Sequence, residues 1–104
     1  MTDEEKLARA DTFFAALRDQ NIDQALAQTH EEVIVHSPMG KKKGHAKASG
    51  VLKMIAKLGG GNVEGLEMAG KDATAVGPSP MGKVRLTISF QDGLIKEIKT
   101  KMGG

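Results

Sequence analysis

Leu7, Ala10, Phe13, Phe14 and Leu17 recur at steps of three and four, so the chain opens with one apolar stripe on a predicted helix. Thr2 followed by Glu5 supplies a capping box, and Asp3 and Glu4 sit where a helix N-terminus favours negative charge. Asp19-Gln20-Asn21 breaks the stripe. Asn21 with Gln24 then offers a second cap, for a short helix whose buried side is Ile22, Ala25 and Leu26.

The period next changes from helical to strand-like. Val33-Ile34-Val35-His36 is a compact β-branched strand stopped by Pro38. Gly40 to Gly44 reads as a polar loop leading into a third helix from His45 to Leu58, with Ala48, Val51, Leu52, Ile55 and Leu58 inward. Gly50 weakens that helix or permits close packing, and Gly59-Gly60-Gly61 ends it.

Strands and turns follow. Val63 to Met68 and Ala73 to Val76 are predicted strands around a turn at Gly70-Lys71-Asp72, and 77–82 reads as a loop. From Lys83 to Phe90 the alternation is clean, with Val84, Leu86, Ile88 and Phe90 on one face. Asp92-Gly93 is a hairpin turn, because both central positions need positive φ. Leu94 to Met102 returns. The expected class is α+β: three N-terminal helices packed on a cone-shaped, curved antiparallel sheet, whose mouth is a natural small-molecule site.

Composition narrows the chemistry. The chain has 104 residues, of which 39% are hydrophobic and 27% charged, which are values of a globular domain. The absence of cysteine excludes disulfides, thiol catalysis and cysteine-ligated zinc, and fits a cytoplasmic setting. No run approaches a membrane span, so no membrane partner is expected. With three Phe and neither Trp nor Tyr, no phenol is available as a proton donor. No cofactor is expected.

Charge is unevenly placed. Residues 1–40 hold three basic and eight acidic side chains, a balance of −5, and the remainder holds twelve and five, a balance of +7. This asymmetry can steer an anionic ligand or pair the acidic part of one subunit with the basic part of another. Lys41-Lys42-Lys43 with Lys47, Lys53 and Lys57 lacks the arginine cluster and interleaved aromatics of a nucleic-acid surface, so no nucleic-acid partner is expected.

Phe13-Phe14-Ala15-Ala16-Leu17, Asn21-Ile22-Asp23, Val33 to Gly40, Gly44-His45-Ala46 and Phe90-Gln91-Asp92-Gly93-Leu94-Ile95 together resemble SnoaL-like and ketosteroid-isomerase-like proteins. These belong to the nuclear transport factor 2-like superfamily. The resemblance spans nearly the whole of 1–104 as a single SnoaL-like domain. It implies a pocket between sheet and helices and a homodimer built on the sheet. It does not carry over the isomerase chemistry. By the resemblance, that enzyme's tyrosine falls on Phe13, its carboxylate base on Ser37 and its protonated aspartate near Leu86. A serine with no nearby base cannot remove a carbon-bound proton at neutral pH.

The pocket is therefore expected to bind a small hydrophobic or weakly anionic molecule. Its candidate lining is Phe13, Leu17, Val35, Ser37, Met39, Met54, Leu58, Leu86, Ile88 and Ile98, with Ser37 as polar contact. The same side chains could instead fill the interior, which would make the chain a non-catalytic homodimerisation or interaction module. A third alternative is a cyclase or dehydratase with His36 as general base; it requires the imidazole inside the cavity, whereas strand alternation turns His36 and Ser37 to opposite faces. His30 is expected to cap the second helix and His45 to be exposed. The spacing of the three histidines fits no metal motif, so no metal is expected.

Overall fold

Thr2 begins the chain's first helix as the spacing predicts. Its hydroxyl accepts from the Glu5 amide at 3.1 Å and Glu5 Oε1 accepts from the Thr2 amide at 2.9 Å, opening α1 (Asp3–Arg18). The Thr2 backbone N–H, and then its hydroxyl, hold the Glu5 carboxyl below its ordinary range. The structure, a computed structural model, describes residues 1–37, 40–79 and 82–102. Helix α2 (Ile22–Ala27) is capped by Asn21 Oδ1, which accepts from the Gln24 amide at 3.2 Å.

After the helical pair come β1 (Thr29–Ser37), β2 (Gly40–Lys43), α3 (His45–Lys57), β3 (Glu64–Ala69), β4 (Asp72–Ser79), β5 (Gly82–Gln91) and β6 (Leu94–Met102). They build a six-stranded sheet in the order β2-β1-β6-β5-β4-β3. Pairing is antiparallel except between β1 and β6, so the described sheet is mixed. Register shifts in the β1–β6, β3–β4 and β5–β6 pairs are the irregularities that bend a sheet, and β2 and β3 remain as unclosed edges. The expected α+β architecture of three helices on a curved sheet is the one observed, except that the sheet expected as antiparallel is mixed, because β1 lies parallel to β6.

One face of the sheet meets the helices. Val33 and Val35 of β1, Ala73 and Ala75 of β4, Leu86 and Ile88 of β5, and Ile95 and Ile98 of β6 point there and are buried. They pack with Ala10, Phe13, Phe14, Ala16 and Leu17 of α1 and with Ala48, Val51, Leu52 and Ala56 of α3 in one apolar cluster. The Phe13 and Phe14 rings meet edge-on, 5.4 Å apart at 70°.

Strand β1 starts at Thr29 rather than Val33, and two segments expected as loop carry strand. Gly40–Lys43, expected as loop, is an edge strand, because edges tolerate and even favour lysine where an interior strand would not. Strand β4 runs on through Pro78, within the segment expected as loop. Proline is admissible there because β3 pairs with β4 no farther than Val76, which leaves the Pro78 side without a ladder to interrupt. The Asp92-Gly93 turn has φ of 55° and 78° at its two positions, as the hairpin requires.

Candidate functional site

The predicted lining separates into three groups. Phe13, Leu17, Val35, Leu86, Ile88 and Ile98 do come together, each at most 6% exposed, as members of the packed core. Met54 and Leu58 do not join them. They are 47% and 51% exposed, because the buried stripe of α3 runs through Ala48, Val51, Leu52 and Ala56, and Leu58 is already the cap residue. Ser37 lies in β1, paired with Gly40, but its side chain and all of Met39 fall outside the described residues.

The buried polar residues among those described are Gln28, Thr29 and Thr74. Thr29 donates its hydroxyl proton to the Leu26 carbonyl at 2.7 Å, so at 2.9 Å from His45 Nε2 it must accept. This fixes the His45 tautomer with its proton on Nε2 and corrects the expectation that His45 is an exposed residue. His30 belongs to β1 rather than to a helix cap. Its Nδ1 accepts from the Glu32 amide at 3.0 Å, and its Nε2 stands 3.6 Å from Asp92 Oδ2.

His36 lies on the outer face of the sheet. Its neighbour Val35 is fully buried opposite Ile98, and His36 Nε2 instead meets Glu97 Oε2 at 2.5 Å. That hydrogen bond holds the Glu97 carboxyl below its ordinary range against a smaller effect of burial, with help from Lys99 and Lys41. The cavity general-base role considered for His36 is thereby removed, since its imidazole faces away from the interior. Among the described residues no three His, Asp or Glu side chains gather into a metal-holding group.

What the described residues do form is a cleft of about 360 Å³, where β4 finishes and β5 begins. Its lining comes from four places: Arg18 at the end of α1, Asn62, Val63 and Glu64 entering β3, Val76, Gly77 and Pro78 of β4, and Lys83 of β5. The glycine triplet brings these places together. A β-carbon on Gly61 would stand 2.4 Å from the Arg18 amide nitrogen and 2.7 Å from the Phe14 carbonyl, and one on Gly60 2.1 Å from Ile55 Cγ2. Only a bare backbone passes so near α1. Arg18 Nη1 then donates to the Gly61 carbonyl at 3.0 Å, and Lys83 Nζ pairs with Glu64 Oε1 at 3.2 Å.

The cleft connects to the core. Val63 packs against the core, and a β-carbon on Gly77 would lie 3.3 Å from Val63 Cγ1 and 3.6 Å from Leu86 Cδ1, so the core side chain Leu86 comes close to Gly77. Sequence reasoning missed Arg18, Asn62, Pro78 and Lys83, which are scattered along the chain and match no motif. A second depression of about 330 Å³ is lined by Met1, Glu5, Ala8, Arg9, Thr12, Gln28 and Gly93, and there Arg9 Nη1 donates to Gln28 Oε1 at 2.8 Å.

No protein-family model matches the chain, and no curated protein sequence matches it. Solved structures do. A protein of Sinorhizobium meliloti bearing a polyketide cyclase name superposes with a TM-score of 0.78 at 10% identity, over 97% of this chain and all of that one. A nuclear transport factor 2-like protein of Burkholderia pseudomallei gives 0.75 at 13% identity, over 97% and 91%. TerC, co-crystallised with polyporic acid, gives 0.74 at 18% identity, over 93% and 90%. The chain thus has the nuclear transport factor 2-like, SnoaL-like fold.

Proposed function

We propose that the protein binds a small, largely apolar or weakly anionic molecule at the end of the sheet where β4 meets β5, without steroid-isomerase chemistry. The cleft carries this reading: at about 360 Å³ it has the size of a small-ligand site, and it sets Val63, Val76 and Pro78 beside Asn62, Arg18 and the Lys83–Glu64 pair. The described interior supports the negative half. Phe13 and Leu86 are packed hydrocarbons, and the buried polar groups are an amide and two hydroxyls rather than a carboxylate. TerC, of the same fold, was crystallised with an acid, which is consistent with a ligand of this kind.

The test is thermal unfolding, followed by circular dichroism, against one- and two-ring compounds, in the wild type and in Asn62→Trp, which caps the cleft from its exposed rim. Some compounds should stabilise the wild type and lose that effect in the variant. No stabilisation anywhere in the panel would refute binding here.

A second reading, self-association through the outer sheet face, is favoured by the layout of charge. Across the paired strands run Lys99, Thr87, Thr74 and Glu67 in one row, and Lys101, Arg85, Val76 and Glu64 in the next. Lys41, opposite His36, and Lys43, opposite Ile34, extend the basic side. A two-fold axis parallel to the strands would lay the basic half of one copy over the acidic half of the other. Sedimentation of Lys41→Glu, Glu67→Lys and the double variant tests it: each single change should weaken association and the pair restore it. A wild type that sediments as a monomer at all concentrations would end this reading.

A further inference from the structure

We infer that the ligand of this cleft is a compact organic monocarboxylate, its carboxylate held by Arg18 and its ring laid on Val63 and Pro78; this rests on the binding reading above. The charge balance comes first. Of the three charged side chains in the lining, Lys83 and Glu64 engage each other, whereas the hydrogen bond of Arg18 goes to a backbone carbonyl and leaves its charge uncompensated by an acid in the cleft. A guanidinium has five N–H donors in a planar fork that matches a carboxylate, and the bond to Gly61 uses one of them.

Positioning is the second argument. Arg18 is exposed but tethered at its tip: its backbone lies close to Gly61, and its Nη1 donates to the Gly61 carbonyl at 3.0 Å. A side chain already held this way gives up less rotamer freedom on binding an anion. Third, apart from the Asn62 amide the uncharged side chains of the lining are hydrocarbon: Val63, Val76 and Pro78. An inorganic anion would leave that wall bare, and a volume near 360 Å³ suits a one- or two-ring body rather than a nucleotide.

The experiment is an amide NMR titration with 2-naphthoate, its neutral analogue 2-naphthamide and inorganic phosphate. Naphthoate should move the resonances of Arg18, Asn62, Val63 and Gly77 and bind roughly tenfold tighter than the amide, as expected for one charge-assisted contact on a partly exposed site. Arg18→Gln should abolish the preference for naphthoate over the amide, and Arg18→Lys should recover only part of it. Equal affinity of naphthoate and naphthamide for the wild type would overturn the carboxylate inference while leaving the cleft as a binding site. Phosphate acting as strongly as naphthoate would overturn it too, because the apolar wall would then contribute nothing. If neither naphthalene compound disturbs these residues, the inference and the binding reading fall together.

Discussion

Two glycine-to-alanine substitutions should shift stability in opposite directions. At Gly61 a methyl group would stand 2.4 Å from the Arg18 nitrogen and 2.7 Å from the Phe14 oxygen. Both are backbone atoms of α1, so no side-chain rotation relieves the clash. Overpacking of this kind costs about 1–3 kcal/mol, here near the upper figure because both clashing atoms are backbone, and the stiffer unfolded chain returns about 0.4–1 kcal/mol, so Gly61→Ala should lose about 2 kcal/mol net. For a domain of this size that lowers the melting temperature by about 8–16 °C and the urea midpoint by about 1–2 M. At Gly50, within α3 and exposed, nothing lies within 4 Å of the added carbon. Alanine there should gain about 0.5–1 kcal/mol from helix propensity alone. With neither Trp nor Tyr in the chain, the unfolding curves are best read by far-ultraviolet circular dichroism. A Gly61→Ala protein as stable as the wild type would refute the close approach of the glycine triplet to α1, and with it the geometry of the cleft.

Three further outcomes follow from the packing and the polar contacts. Ile88→Ala removes a fully buried side chain from the middle of β5 and should cost about 2–5 kcal/mol in urea unfolding. Thr29→Val strips the buried hydroxyl that joins the Leu26 carbonyl to His45 and should cost about 1–3 kcal/mol; a double-mutant cycle with His45→Ala, in which the two losses fail to add, checks that the bridge is the cause. The Glu97 carboxyl is held below its ordinary value of 4.5 in the folded state, so its stabilising effect is complete above that value and is lost as pH falls through the folded one. Wild type should therefore lose more stability than Glu97→Gln between about pH 6 and pH 3, and parallel losses would contradict the His36 contact.

How much of this was legible in the chain depends on the range of the interaction. The cap at Thr2, the stripe of α1, the alternation of β5 and the Asp92-Gly93 turn are set by neighbours a few residues apart, and each is found where the pattern puts it. The helix α3 was legible as a helix but not in its last turn. Periodicity continues the inner face to Leu58, whereas the chain has already turned there and Gly60 takes the space against Ile55. Strand β2 was hidden by its lysines, since an edge strand has no apolar alternation to show. The parallel union of β1 with β6 leaves no local trace, because a strand's own pattern tells which face is buried but not which strand lies beside it. The cleft is the least visible feature. Arg18, Asn62, Pro78 and Lys83 meet only through tertiary folding, and the glycines that allow the meeting look, in sequence, like a simple helix stop.

The central place of β6 bears on how the molecule comes into being during synthesis. The ribbon β2–β1 and the meander β3–β4–β5 lie on either side of it and join into one sheet only through its backbone. A chain in which Leu94–Met102 has not yet paired therefore holds two half-sheets with facing open edges, and chaperone demand should be greatest until β6 docks between them.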